Sequence, residues 1–294
     1  MGMGQEARYM QTQISVPLAW HRRDIEQRLG FTGGRFTQAN TLLTFLMALL
    51  ATVAFYGSLV PLTGTLWAEM FTDRGPTQYA TMFFTFWSLA ILLVKWRKLA
   101  LQQKALEYIV VPESHDFVLS PVTVEQVFQK IYATVDDPKQ FVLFNRIMVA
   151  LSNLQNLGRV GDVDDILRSQ AQQDESVMET SYSLLHGFVW AIPVLGFIGT
   201  VLGLSQAIGS FSGILKEAKD FSAVSEGLRA VTGGLATAFD TTLVALVAAL
   251  AIYLLLTVLR KKEEEFLDQC GEYCLRHIVD RLRMLPYESQ QLLS

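Results

Sequence analysis

Read for hydrophobicity alone, the chain divides into four long apolar runs separated by segments of mixed polarity. A helix rises 1.5 Å per residue and needs roughly 20 apolar residues to cross a bilayer core, so uncharged runs of that length predict membrane-spanning helices. They lie at about 40–62, 77–94, 184–210 and 230–259, and only the fourth holds a charged side chain, Asp240. Elsewhere the apolar positions recur every three or four residues. Residues 95–108 continue the second span, and 122–134, 139–157 and 163–178 predict further helices broken at Pro121, Asp137-Pro138 and 158–161. In 17–31, Leu18, Trp20, Ile25 and Leu29 alternate with Arg and Asp. That pattern suits either a helix lying on the inner membrane surface or one packed on the polar helices. Ile214, Leu215, Ala218, Phe221 and Leu228 predict a short amphipathic helix between spans three and four.

Lys and Arg set the orientation, because basic residues are retained on the cytoplasmic side. Arg22, Arg23, Arg28 and Arg35 precede the first span, Lys95, Arg97 and Lys98 follow the second, and Arg260, Lys261 and Lys262 follow the fourth. The connection between spans one and two carries Arg74 alone among basic residues. The expected organisation is an all-α, multi-pass membrane protein with both termini inside. Its parts are a cytoplasmic N-terminal segment (1–39), spans one and two (40–94), a helical cytoplasmic domain (95–183), spans three and four (184–259) and a cytoplasmic C-terminal helix (260–294).

Composition agrees. Of 294 residues 51% are hydrophobic and only 18% charged, too few charges to solvate a globular surface of this size. A net charge of -4, with the basic residues beside apolar runs, excludes a nucleic-acid partner. The N-terminus carries Glu6, Arg8, Arg22, Arg23, Asp24 and Glu26 before any long apolar run, which is not the layout of a cleaved signal peptide. No phosphate-binding glycine loop, Gly-x-Ser-x-Gly turn or His-Glu-x-x-His pair is present, so neither catalysis nor a cofactor is expected. Cys270, Cys274 and His277 share a helical face, but a structural zinc site wants four ligands. The expectation is no metal, with Phe266, Leu267, Tyr273, Leu275 and Ile278 marking an amphipathic helix. His186, at the start of span three, reads as an interfacial anchor or a proton-passing group.

Spans three and four are distinguished by small residues at helical spacing. Pro193, Gly196, Thr200, Gly203 and Ala207 share one face of the third. The fourth has two rows, Gly234, Ala238, Thr242, Ala245 and Ala249, and the more polar Gly233, Thr237, Asp240, Thr241 and Ala248. Small residues let helices pack closely in lipid, and a tight helix pair alone would explain them. Alternatively, Thr200 and Thr237, about 16 Å and 15 Å from the outer ends of their spans by helical rise, line a pore. Hydroxyls there solvate a proton-carrying water or a partly dehydrated cation. Thr242 lies deeper, in the row better suited to close packing. Pro193 is either a packing kink or a loosened turn.

Ala191-Ile-Pro-Val-Leu-Gly-Phe-Ile-Gly-Thr-Val-Leu-Gly-Leu204 resembles the first pore-lining helix of MotA/TolQ/ExbB channel proteins, and Gly234-Leu-Ala-Thr-Ala-Phe-Asp-Thr-Thr-Leu-Val-Ala-Leu246 resembles the second. The resemblance implies a homopentamer in the bacterial inner membrane whose third and fourth spans surround two copies of a single-span partner of the MotB/TolR/ExbD type, each with a transmembrane aspartate. It implies that Thr200 and Thr237 line the ion path and that Pro193 couples ion flow to movement. H+ or Na+ would be translocated, driving rotation. Four spans are similar to the flagellar-stator layout, whereas TolQ and ExbB proteins have three. Those relatives carry a glutamate five residues before the second pore threonine and a proline nine after it, where this chain has Thr232 and Leu246. Asp240, with Thr241 beside it, is a candidate for the missing carboxylate, on a proton path or between subunits. It is equally suited to a structural pairing with a base or hydroxyl of a neighbouring helix. The alternative function is a multispan scaffold or sensor that conducts nothing.

Overall fold

The structure is a computed structural model and describes residues 17–31, 33–112, 118–120, 123–157, 162–217 and 221–282. The helices are α1 (Trp20–Arg23), α2 (Ile25–Arg28), α3 (Thr41–Leu59), α4 (Leu66–Thr72), α5 (Pro76–Gln103), α6 (Val124–Thr134), α7 (Val142–Leu157), α8 (Asp162–Ser181), α9 (Ser183–Glu217) and α10 (Phe221–His277). Among the described residues there is no strand, only the isolated bridges Leu18 to Val135 and Leu119 to Leu282. Four helical stretches are long and apolar enough to cross a membrane, Thr41–Leu62, Pro76–Glu107, Asp162–Phe211 and Val224–Arg281. The chain is a multi-pass membrane protein.

Two compact units are distinguished. One comprises Thr41–Val94 and Tyr182–Leu259, the other Met1–Asn40, Lys95–Ser181 and Arg260–Ser294. In the first, the membrane unit, α3 and α5 are joined by aromatic pairs. The Phe45 ring meets Phe83 and Trp87 edge-on, Phe55 meets Phe86, and Tyr56 lies 4.6 Å from Tyr79. The Trp87 indole donates to the Thr44 hydroxyl at 3.2 Å, satisfying a polar group that lipid could not. Gly75 takes the left-handed conformation (φ 85°) that turns the chain into Pro76, and proline suits the first position of a helix because its missing N–H would have no partner there.

Spans three and four run longer than their apolar cores. The separate amphipathic helix expected around 214–228 does not form, because those residues continue α9 and open α10 on either side of 218–220, which lie outside the described residues. No helix break stands at Gly227. A lone glycine costs a helix only about 1 kcal/mol, and with proline absent the backbone carries on.

In the second unit the N-terminal segment is packed inside, not laid out as an apolar face. Leu18 and Trp20 are fully buried. The backbone N–H groups of Trp20 and His21 both donate to the Asp136 carboxylate (2.7 and 3.0 Å), Leu18 N–H donates to the Thr134 carbonyl (3.1 Å), and the Trp20 ring stands edge-on to Phe141. The core is built from Phe141, Phe144, Ile147 and Leu151 of α7, Val127 and Ile131 of α6, and Phe266 of α10. Charges buried there are paired, as the cost of desolvation requires. Arg146 meets Asp174 at 2.9 Å. Lys98 donates to Glu26 (2.5 Å) and to the Gln38 carbonyl (2.7 Å), while Glu26 accepts from Asn40 N–H (2.6 Å). Lys95 donates to Ser181 (2.8 Å) and lies 3.3 Å from Glu263, which also accepts from the Thr37 hydroxyl. The unit is thus fastened by polar contacts at both ends of the 33–40 segment.

Cys270 and Cys274 are buried in the same unit, and His277 stacks on Tyr273 at 4.6 Å. Burial pushes both thiols up, that of Cys274 to about 12. Among the described residues no cluster of three His, Cys, Asp or Glu side chains could hold a metal ion.

Candidate functional site

The small residues of α9 and α10 bring two backbones into direct contact. A methyl group placed at Gly203 would lie 2.6 Å from the Gly234 carbonyl oxygen and 2.7 Å from the Ala238 nitrogen. One placed at Gly234 would lie 2.7 Å from the Gly203 carbonyl oxygen and 2.9 Å from the Ala207 nitrogen, and one at Gly196 would strike the Ala245 methyl at 2.5 Å. Distances below 3.0 Å leave no room for any side chain, so glycine is the residue that permits this approach. Ala207, Ala238, Ala245 and Ala249 are buried beside them. Gly196, Gly203, Ala207, Gly234, Ala238 and Ala245 therefore meet within one chain.

Closeness puts two hydroxyls face to face. Thr200 and Thr242 share a hydrogen bond across the helix pair. Around them stand the Gly196 and Ala238 carbonyls, each within reach of both hydroxyls, at 3.2 and 3.1 Å from Thr200 and 3.1 and 3.2 Å from Thr242. A threonine has one proton to give. The four oxygens thus form a small cluster with two threonine protons to distribute, a polar rivet between the helices, and the Thr241 hydroxyl reaches the same Ala238 carbonyl at 3.3 Å.

Thr237 is not part of it. Its hydroxyl donates to the Gly233 carbonyl of its own helix (3.1 Å), and Gly233 has nothing within 4 Å of where a side chain would start. Thr237 and Thr242 are five residues apart, about 140° around a helix, so the hydroxyl of Thr242 joins Thr200 while that of Thr237 stands on a different side of α10. Similar depth, which paired Thr200 with Thr237, does not fix azimuth. Pro193 sits inside α9 without ending it. His186 is exposed at the start of that helix.

Asp240 finds a base. Arg74, in the turn before α5, lies 2.9 Å from the carboxylate, Nε to Oδ2, with both side chains partly exposed. Thr241, next along, is buried and donates to the Thr237 carbonyl (2.8 Å). A methyl group at Gly199 would press on the Thr241 hydroxyl and lie 3.0 Å from that of Thr77 on α5. Arg74 and Thr77 were not singled out as site residues in the sequence. Arg74 had a signal, as the lone basic residue of its connection, but its partner lies far along the chain in the fourth span and no spacing rule links them.

Residues 139–272 match the MotA/TolQ/ExbB proton channel family. This part of the chain belongs to that family. The match runs from the turn before α7 into the last third of α10, so the MotA/TolQ/ExbB segment contains Thr200, Thr237, Asp240 and Thr242, whereas α3 and the whole of α5 lie outside it. No curated protein and no solved structure matches the chain. Channel-type motor subunits of this family work with partner proteins in oligomeric complexes, and catalysis is not their activity.

Proposed function

We propose that the protein is the channel-forming subunit of a proton-driven motor in the bacterial inner membrane, a homopentamer in which α9 and α10 of five copies surround two single-span partner helices. Each partner helix brings an aspartate that takes up and releases the ion. Both termini and the polar helical unit lie in the cytoplasm in this reading, which the basic residues after spans two and four support. One observation carries this reading: the helix pair of the family segment keeps one threonine, Thr237, outside the Thr200–Thr242 contact, with its hydroxyl on the Gly233 carbonyl of its own helix, while Thr200 and Thr242 fasten the pair. A hydroxyl facing an adjoining helix can hand a proton or a dehydrated cation along without the cost of a second buried charge. In this arrangement Thr237 borders the ion path, Thr200 supports it through the rivet, and Pro193, which leaves the carbonyl one turn earlier without its usual donor, gives α9 a place to flex as the partner moves.

The scaffold reading draws on a specific observation too, since the Thr200 hydroxyl is used inside the chain. Flux separates the two. With a single-span partner co-reconstituted in vesicles, Thr237→Val abolishes proton flux while the assembly stays intact if the protein is a channel. Unchanged flux in that variant leaves the scaffold.

A further inference from the structure

The polar side chains of α5 are gathered on one side. Thr77, Gln78, Thr81, Thr85 and Ser88 fall within an arc of about 100° on a helix that turns by that angle per residue, and none is more than 9% exposed. They make a buried polar stripe about 16 Å long by helical rise. At its upper end the stripe meets the other two helices, because the Thr77 and Thr241 hydroxyls converge on Gly199. Just beyond stands the Arg74–Asp240 pair, 19% and 28% exposed.

Most of these hydroxyls use their proton on their own helix. Thr85 donates to the Thr81 carbonyl (2.7 Å), Ser88 to that of Phe84 (2.8 Å) and Thr241 to that of Thr237 (2.8 Å). Gln78 differs. It is wholly buried, and neither its Oε1 nor its Nε2 has a hydrogen-bond partner among the described residues. An amide left so in a bilayer costs several kcal/mol, and natural structures meet that cost with water or an ion.

We propose that each copy contains a hydrated crevice of its own, lined by Arg74, Thr77, Gln78, Thr81, Asp240 and Thr241 and opening at the Arg74–Asp240 end. Neutral oxygen donors with a single carboxylate suit a small monovalent cation, a hydronium-carrying water chain or Na+, and offer too little charge for a divalent ion. The Arg74 guanidinium balances Asp240 in the absence of a cation, and an arriving cation takes its place. The crevice feeds the α9–α10 pair from the α5 side. That role rests on the proposed function, whereas the hydration does not.

Accessibility tests it. In proteoliposomes of the full chain, single Gln78→Cys and Thr81→Cys substitutions are exposed to a cationic methanethiosulfonate reagent. Ala90→Cys, at a buried apolar position of the same helix, is the dry control, and the unchanged chain, with both thiols buried, gives the baseline. Since labelling follows thiolate character and access, the two crevice positions should react at least about tenfold faster than Ala90→Cys. Arg74→Gln should speed the cationic reagent further. Protection of Thr81→Cys by Na+ relative to choline assigns sodium, and its absence assigns the proton-carrying water. Rates no faster than that of Ala90→Cys overturn the proposal. A second measurement needs no cysteine. Gln78→Met in the unchanged chain lowers Tm if the amide is hydrated, whereas a raised Tm means a dry, unpaired amide and overturns the crevice. Neither readout depends on ion flux, so a chain that labels but does not conduct keeps the crevice and loses the channel.

Discussion

Thr200 and Thr242 are joined hydroxyl to hydroxyl across α9 and α10, each also within reach of the carbonyl four residues back on its own helix. Because both threonines hold the helix pair and Thr237 does not, stability and conduction should separate by residue. Thr242→Val should destabilise the solubilised chain by about 1–2 kcal/mol, the cost of leaving carbonyl partners short of a donor. Thr237→Val should stay within about 0.5 kcal/mol in melting while removing flux. Equal melting losses in the two variants would contradict this division.

The glycine contacts make a sharper prediction. Gly203→Ala and Gly234→Ala each force a methyl into backbone atoms below 3.0 Å, so each should cost about 1–3 kcal/mol or more in thermal or denaturant unfolding. Gly209→Ala, with open space around it, should be neutral or slightly stabilising because alanine is the better helix former. A neutral Gly203→Ala would mean that α9 and α10 lie further apart.

The Arg74–Asp240 pair is partly exposed, so its coupling should be modest. A double-mutant cycle of Arg74→Gln and Asp240→Asn, read by melting, should return about 1 kcal/mol or less. Its larger effect is expected on ion uptake, where Asp240→Asn removes the single carboxylate of the crevice. A coupling of zero would show that the two groups do not meet.

Asp24 gives a pH signature. Burial holds its carboxyl above the usual value of 3.8, with Lys98 opposing and Glu26 adding to the rise. The folded state therefore binds the proton more tightly than the unfolded chain, and this contribution to stability is lost as pH rises from about 3.8 through the folded value. Asp24→Asn keeps an oxygen to cap α2, where Asp24 accepts from Glu26 N–H. The variant should melt higher at neutral pH, and the gap should close toward pH 4. A gap that widens on acidification would reverse the assignment.

Lys98 anchors Glu26 and the Gln38 carbonyl from a site 2% exposed. Lys98→Met leaves the buried Glu26 carboxyl without its base, which should cost about 3–5 kcal/mol in urea unfolding. Recovery by the added change Glu26→Gln would tie the loss to the stranded carboxylate.

How much of this was legible beforehand depends on the range of the forces involved. Spans, polar helices and the small-residue rows follow from local composition and periodicity, and the four spans and α6 to α8 stand where those predict them. The pairing of Thr200 with Thr242 was not legible, because depth along two helices was readable while their relative rotation was not. That rotation is set by where glycines allow backbones to touch, chiefly Gly203 and Gly234. Arg74 was counted for its charge in fixing orientation, and its contact with Asp240 needed the fold. The 214–228 segment shows the opposite limit, where an amphipathic pattern promised a separate element and residues 214–217 and 221–228 belong instead to the ends of α9 and α10.

The contrast among glycines reaches beyond one chain. Gly196, Gly203 and Gly234 are fixed by neighbours within the protomer, but Gly187, Gly209 and Gly233 have nothing within 4 Å. Across related genes the first set should resist drift for reasons of monomer folding alone. If the second set resists it equally, the constraint must come from another polypeptide, and those three positions would map where it passes.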